Sequence, residues 1–108
     1  MDWGKVAKDL LVISEWPWDV VPKPNYPDEP MIRDKRRWVV AGVSGADENA
    51  SFIAAAPRLL AEALVEAVRE QARFMTALAP GNRPDVAGAL NHMGITGSDY
   101  AEIKRRLG

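Results

Sequence analysis

The chain has 108 residues, a formal net charge of -1 and no cysteine. The missing thiols exclude disulfides, thiolate zinc sites and cysteine nucleophiles, and the balanced charge gives no global pull toward nucleic acid. No apolar run reaches the roughly 18 residues a membrane span needs, and Asp2 and Asp9 break any signal-peptide layout, so the expectation is a single cytoplasmic domain with one modest core.

Residues 1 to 15 read as a helix. Val6, Leu10 and Ile13 share a face, with Trp3 one turn earlier and Lys5, Lys8 and Asp9 opposite. Gly4 weakens the start of this helix. Prolines at 17, 22, 24, 27 and 30 then forbid regular helix or a central strand over residues 15 to 30. Within that stretch Trp18 to Val21 is a short strand, and Trp16 and Trp18 are placed over the core. Pro22 to Pro30 is a surface loop of polyproline character.

Met31 to Val43 reads as a hairpin. Its second arm, Arg37 to Val43, is the most strand-like run in the chain, with Trp38 and Val40 on one face and Val39 and Ala41 on the other. With Trp18 to Val21 it makes a three-stranded antiparallel sheet. Arg33, Lys35, Arg36 and Arg37 bunch at the turn, either as a solvated turn or as a contact for an anionic or acidic partner.

The longest periodic segment is Asp47 to Leu78. Ser44 or Asp47 supplies a cap. Pro57 divides the segment into a short helix, Asp47 to Ala56, and a long one that Pro57 itself opens. In the long helix Leu60, Leu64, Ala67, Gln71, Met75 and Leu78 form one apolar stripe, broadened by Leu59, Ala63, Val68 and Ala72. Arg58, Glu62, Glu66, Arg69, Glu70 and Arg73 are left for solvent. The stripe serves either the domain's own core or another helix.

Residues 79 to 84 turn the chain. Asp85 to Met93 is a helix stopped by Gly94. Thr96 or Ser98 caps a last helix, Asp99 to Leu107, whose end carries Lys104, Arg105 and Arg106 where the helix dipole favours cations. This hairpin has the outline of a helix-turn-helix, with Ala89, Met93, Ile95, Tyr100 and Ile103 inward. Ser98, Asp99, Ala101 and Glu102 would face a groove, and two acids there oppose phosphate.

Catalytic signals are thin. His92 is the single histidine and has no second ligand at helical spacing. Ser44, Ser51 and Ser98 lie outside any nucleophile elbow, and Gly42 and Gly45 lack the rest of a phosphate loop. These residues imply no enzyme, no cofactor and no metal.

Trp16-Pro17-Trp18, Ile32-Arg33-Asp34, Val40-Ala41-Gly42-Val43 and Asn49-Ala50-Ser51-Phe52-Ile53-Ala54-Ala55-Ala56-Pro57 form a layout over roughly residues 16 to 65. It is similar to small phage and prophage proteins, including the Ead-like early proteins. The resemblance implies a mobile-element origin, a host-cell cytoplasmic location and a role in host takeover or counter-defence. It carries over no catalytic residue.

The expected fold is α+β, with a small antiparallel sheet of about three strands packed on a long helix and flanking terminal helices. The expected function is non-catalytic binding of a host protein, in its specific form inhibition of a defence complex in the manner of anti-CRISPR proteins. Arg33, Lys35, Arg36, Arg37, Lys104, Arg105 and Arg106 are the expected partner-binding residues. The alternatives are a DNA-binding regulator using Asp85 to Leu107 and a binder of a small anionic signalling nucleotide. The long helix overhangs so small a sheet, so Phe74, Met75 and Leu78 are expected either to lie under the C-terminal hairpin, through Val86, Leu90 and Ile95, or to form a homodimer contact.

Overall fold

Short apolar runs between prolines, then one long periodic run, give a small sheet followed by helices. The computed structural model describes residues 1–43, 47–77 and 84–108, with Asp47 and Ala77 as backbone only. The element order is α1 (Trp3–Val12), β1 (Asp19–Pro22), β2 (Pro30–Arg33), β3 (Val39–Gly42), α2 (Asp47–Ala77), α3 (Val86–Met93) and α4 (Gly97–Leu107). The architecture is α+β. The elements gather into two compact units, one of Val12–Leu59 and one of Met1–Leu11 with Leu60–Gly108. Ser44, Leu78 and the turn over residues 79–83 lie outside the described residues, and so does the choice of α2 cap.

In the Val12–Leu59 unit the strands pair antiparallel in the order β1-β2-β3. One face of this sheet packs on the first turns of α2. Ile32 and Val43 from the sheet side meet Ala50 and Ala54 of the helix, with Trp18 and Val40 packed against them. Alanine suits this contact because a small side chain lets helix and sheet approach closely. Trp16 is 1% exposed, and its peptide bond to Pro17 is cis. Trp18 donates its indole N–H to the Ser14 carbonyl at 2.9 Å.

The alternation expected in β3 is broken. Ile32 pairs with Ala41 but Arg33 pairs with Val39, so Val40 is an extra residue on β3. Such a bulge shifts the inward–outward phase of the strand. Val40 therefore packs on the core while Trp38, expected beside it, stands 73% exposed.

Pro57 does not divide α2, which runs unbroken from Asp47 to Ala77. Proline removes one amide donor from the ladder, and the turns on either side hold the helix together. Continuity sets the phase of the buried stripe. Ala50, Ala54 and Pro57 are buried, and Ala61, Leu64, Val68 and Ala72 continue the same row. Of the stripe expected through Leu60, Leu64, Ala67, Gln71 and Met75, Leu64 is buried, as are Val68 and Ala72 of its flank, and the centre of the stripe is rotated toward them. Leu60 and Leu59 are exposed and Ala67, Gln71 and Met75 only half-buried. A helix starting afresh at Pro57 would have been free to choose its phase; a continuous one is not.

In the other unit the buried residues of α1 are Gly4, Ala7 and Leu10. Val6 is half-buried; Ile13 lies beyond the helix, in the Val12–Leu59 unit, and is exposed. Asp2 caps α1, accepting from the Lys5 amide at 3.1 Å. Asp85 caps α3 by accepting from the Gly88 amide at 2.8 Å. Gly94 ends α3 in the left-handed region at φ 73°, and the Ile95 amide then reaches back to the Leu90 carbonyl at 2.9 Å. Thr96, not Ser98, caps α4 through the Asp99 amide at 3.2 Å. Leu90, Ile95, Tyr100 and Ile103 are buried.

Candidate functional site: a basic turn tipped by tryptophan

The turn between β2 and β3 is built by Asp34. Its carboxylate Oδ1 accepts from the amides of Arg36 and Trp38, each at 2.9 Å. Its carbonyl accepts from the Arg37 amide and its own amide donates to the Trp38 carbonyl, again at 2.9 Å. A short side-chain acceptor that bonds amides two and four residues on closes a tight turn without help from elsewhere. Lys35 adds a further tie, its amide donating to the Glu15 carbonyl at 2.9 Å.

Arg37 sits at φ 69°. This is the left-handed position of a three-residue hairpin loop, which glycine ordinarily fills. A side chain there costs about 1 kcal/mol. The loop nonetheless carries an arginine, followed by the exposed Trp38.

The four basic residues of this region differ. Arg33 is half-buried and bound to Asp19 across the strands at 3.6 Å, and its Nε is buried with no hydrogen-bond partner among the described residues. The Arg36 guanidinium meets Glu15 at 3.1 Å but stays 77% exposed. Lys35 and Arg37 are exposed, with no ion pair to a described carboxylate. The turn thus offers Lys35, Arg36, Arg37 and Trp38, while Arg33 belongs to the sheet.

The C-terminal cations are engaged at home. Glu102 takes two bonds from Arg105, at 2.8 Å and 2.5 Å, and one from Arg106 at 3.2 Å. Arg106 also donates to the Leu10 carbonyl at 3.4 Å. The Glu102 carboxyl is held at about 2, chiefly by Arg105, with Arg106 adding and partial desolvation opposing. Lys104 lies 5.4 Å from the centre of the Tyr100 ring. Burial raises the Tyr100 hydroxyl pKa above its ordinary value, with the Arg69 charge opposing. The seven expected contact residues therefore form two groups, one in each compact unit.

Of the expected dimer residues, Phe74 is 62% exposed. Met75 is half-buried, its Cε 3.0 Å from where a Cβ on Gly88 would lie. Leu78 is outside the described residues. Val86 is exposed, while Leu90 and Ile95 are buried. A groove of about 560 Å³ lies beside Phe74, with Trp3, Glu70, Gln71 and His92 in its wall. Among the described residues no three His, Cys, Asp or Glu side chains converge to hold a metal, and no helix is long and apolar enough to cross a membrane.

Comparisons with protein-family models, with curated proteins and with solved structures found no match.

The sequence marked the basic turn but missed its tip. Unbroken strand alternation puts Trp38 on the same face as Val40. The usable signal was Asp34 followed directly by three cations, an aspartate placed to fold the turn on itself.

Proposed function

We propose that this chain is a non-catalytic accessory protein of a phage or prophage that binds a host protein. Its specific form is inhibition of a bacterial defence complex in the manner of anti-CRISPR proteins. One observation carries the binding part: Trp38 is 73% exposed at the end of a turn that also presents Lys35, Arg36 and Arg37. Tryptophan and arginine dominate the energetics of protein interfaces. A turn already fixed by Asp34 loses little freedom when it docks. The strained Arg37 supports the same reading, because backbone strain of this kind clusters at contact and switch positions. The partner surface is acidic and has an apolar pocket for the indole. The origin and the defence role are supported by the resemblance of residues 16 to 65 to small phage proteins.

The DNA reading draws less support. Glu102 occupies Arg105 and Arg106, and Asp99 stands in the first turn of α4. Both acids oppose a phosphate backbone. No observation favours the nucleotide reading.

Affinity capture from bacterial cells with tagged protein, run beside a Trp38→Ala, Arg37→Glu variant, tests the proposal. A host protein enriched by the parent and lost with the variant is expected. Equal recovery by both removes the turn as the site. In cells carrying an active defence system, the parent should restore phage plating and the variant should not; no restoration by the parent in any such host removes the defence role.

A further inference from the structure

The groove beside Phe74 is built by three helices of one compact unit. Ala67, Glu70, Gln71 and Phe74 stand at i, i+3, i+4 and i+7 of α2, which is one face of a helix. Asp2 and Trp3 join them where α1 begins, and His92 and Met93 where α3 ends. Trp3, Ala67, Gln71 and Met93 are half-buried and make the floor, while Phe74, at 62%, and Glu70 stand exposed at the rim. The volume, about 560 Å³, is that of sites that hold small organic molecules.

The chemistry of this wall is one-sided. It holds two carboxylates, from Asp2 and Glu70, and no lysine or arginine. Asp2 is engaged in part, because it accepts from the Lys5 amide. Glu70 is not: Arg69 and Arg73, its neighbours along α2, both turn to Glu66, each at 3.9 Å. Among the described residues the side chains of Glu70, Gln71 and His92 make no hydrogen bond or ion pair. An amino group on Met1, which also borders the groove, would offset one carboxylate and leave the other.

We infer that this groove binds a small organic monocation, an ammonium group carried on a compact apolar or aromatic body. Glu70 supplies the counter-charge, in a charge-assisted hydrogen bond. Gln71 and His92 offer further acceptors for the ammonium N–H groups. The rings of Trp3 and Phe74 attract a cation and give the apolar body a surface to cover. An anion would meet carboxylates and no cationic side chain, and a neutral ligand would gain the apolar contact alone. A free amine and a lysine side chain of another protein share this chemistry. No residue of the turn at Asp34 to Trp38 lines the groove, so the inference does not depend on what that turn binds.

Nuclear magnetic resonance of the isotope-labelled full chain reads this directly. Phenethylammonium is titrated from about 0.1 to about 10 mM, at about pH 8 where an imidazole is ordinarily uncharged. The Trp3 indole N–H, the Gln71 side-chain amide and the His92 ring are expected to shift on one saturation curve while the Trp38 indole stays still. Phenethyl alcohol and phenylpropanoate carry the same ring with no charge and with a negative charge. Each is expected to bind at least about fivefold more weakly. Glu70→Gln and Phe74→Ala are each expected to weaken phenethylammonium about two- to fivefold, and Glu70→Lys to remove it. Both positions are exposed, and helical circular dichroism confirms that each variant is folded. N-acetyl-lysine methylamide separates the two sources: tighter binding than phenethylammonium assigns the groove to a protein lysine, weaker binding to a free amine. No shift at Trp3 and His92 up to about 10 mM overturns the inference. So does equal binding of the alcohol, or a folded Glu70→Lys chain that binds like the parent.

Discussion

A Cβ placed on Gly4 of α1 would stand 2.6 Å from the carbonyl oxygen of Gly94, at the end of α3. Backbone therefore meets backbone, and neither partner is a flexible side chain that could swing away. In an isolated helix, alanine at position 4 would be favoured over glycine by about 1 kcal/mol. Here the sign reverses. Gly4→Ala is expected to destabilise the fold by about 1 to 3 kcal/mol, because a packed backbone must shift. Chemical denaturation of the variant measures it, and any gain in stability would remove the close approach. Gly94→Ala loses by another route: its Cβ meets nothing within 4 Å, but φ is 73°. The expected cost there is about 1 kcal/mol, from conformation alone.

Much of the fold was legible because its signals are local. Proline spacing marked the sheet region, Gly94 marked the end of α3, and Lys104 to Arg106 marked the end of α4. What was not legible depends on non-local geometry. That Ala61, Leu64, Val68 and Ala72 extend the row of Ala50 and Ala54 is seen only once the helix is known to run through Pro57. Gly4 reads as a weak helix former until Gly94 is seen beside it. Trp38 shares a face with Val40 until the extra residue at Val40 turns it out. The basic turn was visible in composition, but its separation from Arg33 was not, since a cross-strand partner such as Asp19 appears only with the register.

The phase of α2 separates two neighbouring kinds of leucine. Leu64 is fully buried and Leu60 is 39% exposed. Leu64→Ala is expected to cost about 2 to 5 kcal/mol through the cavity it leaves. Leu60→Ala is expected to cost well under about 1.5 kcal/mol, since it removes less than a full burial. Equal losses in urea denaturation would return the stripe to the face through Leu60 and Ala67.

The turn at Asp34 holds two opposite predictions. Asp34→Ala removes the acceptor for two amides and is expected to destabilise by about 1 to 2 kcal/mol. Arg37→Gly relieves the positive φ and is expected to stabilise by up to about 1 kcal/mol. If the turn is the docking site, the second variant gains stability while losing partner. That combination distinguishes a residue kept for contact from one kept for folding. A loss of stability in Arg37→Gly would instead assign the arginine a structural role.

Glu102 supplies the acid sensitivity of the C-terminal hairpin. Its carboxyl sits at about 2 in the folded chain against an ordinary 4.5. A depressed folded pKa means that the unfolded chain binds the extra proton first. Between pH 4.5 and about 2 the unfolded state therefore holds more protons, and stability rises with pH through that window. The contribution is complete above pH 4.5 and is lost as pH falls through about 2. Glu102→Gln keeps the shape and removes the titration. The advantage of the parent over this variant should be constant near neutral pH, shrink on acidification and vanish near pH 2. Added salt should reduce it at neutral pH, since the side chain is 36% exposed and its partner Arg105 63%. Urea denaturation of both chains across this pH range is the measurement. Parallel curves for the two would show that Arg105 and Arg106 do not rest on Glu102.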